Sequence, residues 1–146
     1  MIIAIDFDGT CVKHEFPRIG ADIGAIPVLK ELVANGHKLI LWTMRSRKKE
    51  GTSESNSLCW NNASKIKLES DVLQDAIDWF NRNDIPLWAV NINPNQVSWT
   101  NSPKAYAQYY IDDAALGTPV LFDEATDREY VDWIKMRELL VNNHLL

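Results

Sequence analysis

Cysteine is nearly absent from this chain: Cys11 and Cys59 are the two among 146 residues, and neither stands at metal-ligand spacing. That speaks against a disulfide framework or thiolate metal site and points to free thiols in a reducing compartment. Positive charge is also in short supply. Fifteen Lys and Arg against twenty Asp and Glu leave a formal net charge of −5, which argues against a general binder of nucleic acid or of acidic membranes. No apolar run is long enough to span a bilayer. The run at the start lacks a basic leader and ends at Asp6, so neither a span nor a cleavable signal is expected, and a cytoplasmic location is. The sequon Asn62-Ala63-Ser64 should be inert there. Internal repeats and low-complexity segments are missing. What is present, 46% hydrophobic residues, suits a single globular domain over 1–146 with its own core.

The chain opens Met1-Ile2-Ile3-Ala4-Ile5-Asp6-Phe7-Asp8-Gly9-Thr10. Such a run of branched apolar residues reads as a strand buried on both faces, as in a parallel sheet covered by helices. Asp6 and Asp8 then fall at its carboxyl end, where open α/β sheets bind ligands. Two carboxylates so close repel each other. Keeping both ionised favours a hard cation such as Mg²⁺, which prefers oxygen ligands. Asp8-Gly9 is also a common hairpin turn, but Cys11 to Pro17 supply only a weak second strand. A calcium loop of the EF-hand kind needs its glycine two positions further on, and a helix before it.

Further along, Ile26, Leu29, Leu32 and Val33 fall at helical spacing, with Pro27 suited to a first turn and Gly36 to the stop. Lys38 to Thr43 follow as a second strand, completing a right-handed parallel unit. Residues 45–69 turn polar and irregular, with the basic run Arg45, Arg47, Lys48 and Lys49, and read as a long loop. Ser70 or Asp71 should cap a helix carrying Val72, Leu73, Ala76, Ile77 and Phe80. Leu87 to Asn91 form a third strand, Lys104 begins a short helix, and Tyr109 to Asp113 form a fourth strand that ends in acids. Pro119 to Phe122 make a short fifth. Thr126-Asp127-Arg128-Glu129 has capping-box spacing and should start a last helix through Tyr130, Ile134 and Val141. Three strand ends thus present Asp6/Asp8, Thr43 and Asp112/Asp113, and parallel strands bring those ends to one edge.

In this order the residues resemble the haloacid dehalogenase-like superfamily. Its four motifs look like Ile5-Asp6-Phe7-Asp8-Gly9-Thr10, Leu41-Trp42-Thr43, Lys104 and Ile111-Asp112-Asp113, spread over almost the whole chain. The resemblance implies an α/β three-layer sandwich around a central parallel sheet of about five strands, without a full cap domain. It also implies a Mg²⁺-dependent phosphatase in which Asp6 attacks phosphorus and becomes an aspartyl-phosphate. Asp8, the acid that family phosphatases carry and the dehalogenases lack, would protonate the leaving group and then activate water. Mg²⁺ would be held by Asp6, the Asp8 carbonyl and Asp112, with Asp113 acting through water or orienting Lys104. Thr43 would hydrogen-bond a phosphoryl oxygen and Lys104 would neutralise charge. Gly9, Thr10, Arg45 and Arg18 are candidate substrate contacts.

Capless members leave the site open, and many act on macromolecular phosphoesters or complete the site with a neighbouring subunit. The expected partner is therefore a phosphorylated small molecule or a macromolecular phosphate end, with a homo-oligomer as one way to close the site. Segment 45–69, directly after the second motif, is read either as a partial lid that draws in anions or as a solvated loop. His14 reads as a solvated loop histidine, and His37 and His144 as surface residues. Trp60 and Trp99, in loops, are the tryptophans placed to stack on a substrate. The alternative to an enzyme is a binding or regulatory module that keeps the fold and the metal site but turns over no free substrate.

Overall fold

The computed structural model describes residues 1–47 and 71–146 of the chain. Its centre is strand β1 (Ile2–Ile5), whose Ile3, Ala4 and Ile5 are buried. Strand β2 (Lys38–Leu41) pairs parallel to it on one side and β4 (Tyr109–Ile111) on the other, and β3 (Ala89–Val90) extends the sheet beyond β2, giving the order β3-β2-β1-β4. Both flanks being occupied explains why the apolar run of β1 does not alternate. Ile5 stands opposite both Leu41 and Ile111, so the carboxyl ends of three strands are level. Two further bonds hold that level, Asp6 N to Ile111 O at 2.9 Å and Trp42 N to Ile5 O at 2.8 Å.

Helix α1 (Ala25–Ala34) makes the crossover between β1 and β2 and buries Val28, Leu29 and Leu32. Gly36, at φ +82°, stops it in the left-handed conformation that glycine adopts freely, and His37 N closes back onto Leu32 O at 3.1 Å. Helix α2 (Val72–Arg82) starts where expected: Asp71 caps it by accepting from Gln74 N at 3.1 Å. Its Trp79 and Phe80 pack against Phe7, the Phe7–Trp79 pair edge to face at 5.6 Å, a contact of about 1 kcal/mol beyond the area it buries.

The last quarter differs from expectation. The described sheet has four parallel strands rather than about five, because β5 (Val120–Asp123) pairs antiparallel with β6 (Arg128–Val131) in a separate hairpin. A parallel return needs a crossover of a dozen or more residues, and only residues 112–119 separate β4 from β5. Thr126 to Glu129 do not cap a helix. Asp127 sits at φ +53° in the turn of the hairpin, and helix α3 (Trp133–Asn142) begins later, capped by Asp132 through Ile134 N and Lys135 N. No helix forms at Lys104 either. That loop is organised by buried Gln96, in the short 3-10 turn Gln96–Ser98, whose amide donates to Ser102 O and Lys104 O and accepts from Tyr106 N. The expected lid, with Lys48 and Lys49, and the residues Cys59 and Trp60 lie outside the described residues apart from Arg45 and Arg47.

Candidate active site at the carboxyl edge of the sheet

Asp6 is the first residue past β1, and the sharp loop after it is built by its backbone: Cys11 N donates to Phe7 O at 2.8 Å and Gly9 N to Val12 O at 2.7 Å. Gly9, at φ +86°, has no room for a side chain, since a Cβ there would stand 2.1 Å from His14 Nε2 and 2.6 Å from Asp113 Oδ2. Thr10 is fully buried. Its hydroxyl donates to Asp6 Oδ2 at 3.2 Å and accepts from Asp113 N at 3.0 Å, tying the first strand end to the fourth. Hairpin and α3 hold the loop from outside, Val131 N on Gly9 O at 2.8 Å and Trp133 Nε1 on Thr10 O at 2.7 Å. Gly9 and Thr10 thus shape the site from within and behind it. Cys11 Sγ lies buried against Asp6 O at 3.3 Å, and burial pushes its thiol well above the usual range, which marks it as an unreactive core residue.

Carboxylate oxygens of Asp6, Asp112 and Asp113 lie within 4.8 Å of one another. Burial, reinforced by the charges of Asp112 and Asp113, raises the Asp6 carboxyl from 3.8 to about 7. One Asp112 oxygen accepts from Ala114 N at 2.8 Å, and Asp113 Oδ2 meets His14 Nε2 at 2.9 Å. An all-oxygen set of three half-buried acids, with the ionised form of Asp6 disfavoured by desolvation, fits a hard divalent cation, with His14 and Ala114 N as outer partners that orient the ligands.

Asp8 is not in that cluster. Its two oxygens receive Arg45 Nε and Nη2, each at 2.7 Å. Arg45 is 2% exposed and spends its remaining donors on Arg18 O at 2.7 Å, Pro17 O at 3.1 Å and Val72 O at 3.3 Å. The guanidinium is stacked between the rings of Phe7 and Phe16 at 5.0 and 5.3 Å. Arg45, expected as a solvated substrate contact, is instead a buried clasp joining the first motif, the flap that follows it and the start of α2. Arg47, its neighbour in the basic run, reaches Asp71 at 3.9 Å. Arg18 contributes its carbonyl to the clasp while its side chain stands in solvent beside Glu15 at 3.7 Å.

Thr43 lines the cleft, its N–H on Asn91 Oδ1 at 2.8 Å and its hydroxyl accepting from Arg45 N at 3.2 Å. Lys104 does not. Its ammonium lies over the Tyr110 ring at 5.5 Å, and it lines a different depression with Trp99 and Tyr106, so neither Lys104 nor Trp99 joins the acids. His14, read from sequence as a solvated loop histidine, and Arg128, placed by sequence at a helix start, do join them: both line the cleft of about 600 Å³ that holds Asp6, Asp8, Asp112 and Asp113. Phe16 and Met44 form its apolar rim, Met44 at 97% exposure.

No helix among the described residues is long and apolar enough to cross a membrane. No family model matches the chain, and no curated protein does. A solved structure does, that of a conserved protein from Bacteroides thetaiotaomicron, with 30% identity, a TM-score of 0.66, and a match covering 98% of this chain and 91% of that one. Identity at that level over nearly the full length of both chains places this chain in the family of that conserved Bacteroides thetaiotaomicron protein.

Proposed function

We propose that this chain is a Mg²⁺-dependent phosphohydrolase working through an aspartyl-phosphate on Asp6, as its resemblance to the haloacid dehalogenase-like superfamily implies. The observation that carries the reading is the half-buried Asp6 carboxylate held by Thr10 beside Asp112 and Asp113 at the carboxyl edge of a parallel sheet. Asp6, Asp112 and Asp113 would hold the cation. When bound, Mg²⁺ would offset the negative charge of phosphate and carboxylates and keep Asp6 ionised.

The remaining work falls to the chain's own groups. Asp6 supplies an oxygen to phosphorus, aimed by the hydroxyl of Thr10. The Thr43 hydroxyl hydrogen-bonds a phosphoryl oxygen, and Arg128, on the cleft wall, supplies the charge that Lys104 is too remote to give. Asp8, held in place by the two bonds from Arg45, accepts a hydrogen bond from water and orients it.

Phosphate release from p-nitrophenyl phosphate and a broad panel of phosphometabolites, with Mg²⁺ and with EDTA, tests the proposal. Release that needs metal and vanishes in Asp6→Asn is the expected result. The remoteness of Lys104 favours a second reading, a binding or regulatory module that retains the metal site. Mg²⁺ binding without release from any substrate would select it.

A further inference from the structure

We propose a second ligand site, apart from the acids: the depression lined by Trp99, Lys104, Tyr106 and Tyr110 takes a free nucleoside monophosphate, with its base stacked on Trp99 and its phosphate against Lys104. This site is independent of the phosphohydrolase reading above. Its floor is aromatic and open. Trp99 is 65% and Tyr106 45% exposed, and their rings meet edge to face at 5.9 Å and 83°. An edge-to-face pair covers one ring face at most, so flat π surface is left over for a third ring to stack on.

The floor is also built in advance. Two buried amides pin the main chain beneath it at alternate residues. Gln96 Nε2 donates to Ser102 O at 2.8 Å and to Lys104 O at 3.2 Å, its Oε1 accepts from Tyr106 N at 2.7 Å, and Asn93 Nδ2 donates to Tyr106 O at 2.7 Å. The Tyr110 hydroxyl is anchored on Ala105 O. A loop held in this way has little ordering left to do when a ligand arrives, which favours binding.

The rim chooses the ligand. Lys104 carries its ammonium over the Tyr110 ring at 5.5 Å. The Thr100 hydroxyl accepts from Ser102 N at 3.1 Å and the Ser102 hydroxyl from Lys104 N at 3.2 Å; in both bonds the oxygen is the acceptor, and each O–H keeps its own proton to donate. Among the described residues, the lining carries a single charge, that of the lysine. One ammonium and two hydroxyls suit the oxygens of one phosphate, and the floor suits a flat heterocycle. A neutral apolar ligand would use the floor alone, and inorganic phosphate the rim alone. The depression, about 290 Å³, stands at the small end of ligand cavities, with room for one nucleotide unit. A polynucleotide is a poorer match, because its affinity rests on many phosphate contacts and the chain as a whole carries −5.

Titration calorimetry in EDTA tests the site, since without metal the acids neither recruit phosphate nor turn it over. The probes are adenosine, guanosine, cytidine and uridine monophosphates, the matching nucleosides, ribose 5-phosphate and a short oligodeoxyadenylate. At least one monophosphate should bind, at least roughly 5-fold more tightly than its nucleoside or ribose 5-phosphate. Trp99→Ala should weaken it at least roughly 5-fold, the low end of what a stacked base loses with its aromatic partner, and Trp99→Phe should recover much of that. Lys104→Ala, at an exposed loop position, should bring the monophosphate down to the level of the nucleoside and leave nucleoside binding unchanged, a result that loss of folding could not mimic. Asp6→Asn should bind as the wild type does. No binding of any monophosphate at millimolar concentration overturns the proposal, as does binding that ignores both Trp99→Ala and Lys104→Ala. An oligonucleotide that binds more tightly than every monophosphate assigns the shelf to a nucleic-acid strand and overturns the free nucleotide.

Discussion

Replacing Asp6 by Asn should stabilise the metal-free protein, and increasingly so as pH rises. In the folded chain without cation the Asp6 carboxyl is raised from 3.8 to about 7, by burial first and by Asp112 and Asp113 second. The folded state therefore binds more protons than the unfolded one between those values, so the stability slope with pH is negative. Stability contributed by protonated Asp6 is present at the acid end and is lost as pH climbs from about 4 to about 7. A gap of roughly three units, at about 1.4 kcal/mol each, comes to about 4 kcal/mol by pH 8. The amide that Asp6→Asn introduces keeps an oxygen for the Thr10 hydroxyl and carries no charge, so the variant escapes this loss. For a domain of this size that is a melting-temperature difference of about 10 °C, read by thermal unfolding of both proteins in EDTA at a series of pH values. The two curves should converge near pH 4 and separate above it. Adding Mg²⁺ at pH 8 should narrow the gap, because binding stabilises the wild type selectively. Curves that run parallel across the whole range would refute the account of a half-buried Asp6 whose ionised form is opposed by desolvation and by its acidic neighbours.

Arg45→Leu leaves Asp8 and three backbone carbonyls without their cation and should cost about 3 kcal/mol or more in urea unfolding, with Arg45→Lys recovering part of it. Gly9→Ala places a methyl group on His14 and on Asp113 in a left-handed conformation worth about 1–2 kcal/mol by itself; the unfolding free energy should fall by more than that and Mg²⁺ affinity, read by calorimetry, should drop. Lys104→Ala, at an exposed loop position away from the acids, should leave phosphate release unchanged and stability within about 0.5 kcal/mol.

The first strand and its acids were legible because several local signals agree there: a branched apolar run, an abrupt polar stop and a Gly-Thr turn. Asp112 and Asp113 follow from the same logic, and the parallel register supplies what sequence cannot, bringing them level with Asp6. Arg45 was misread for a physical reason. It begins a basic run that by composition looks solvated, while the partners that bury it, Asp8, Pro17, Arg18 and Val72, lie far away in the chain. Arg128 was hidden by a conflict between two local signals. Thr126 to Glu129 have capping-box spacing, yet they also separate two short segments that pair as a hairpin, and the left-handed Asp127 decides for the hairpin. His14 carried only a weak signal, its place just after the first motif, which the commonness of solvated loop histidines outweighed. Its importance comes from a glycine that lets Asp113, distant in sequence, approach it.

The loop bearing Asp8 leans on residues translated long afterwards: Gly9 on Val131, and Thr10 on Trp133 across 123 positions. During synthesis, the acids of the first motif emerge early but lack these supports until the hairpin and α3 have left the ribosome. A half-made chain therefore carries Asp6 and Asp8 without the loop geometry that sets Asp6 beside Asp112 and Asp113, and that arrangement waits for the closing of the fold rather than for the appearance of its first acids.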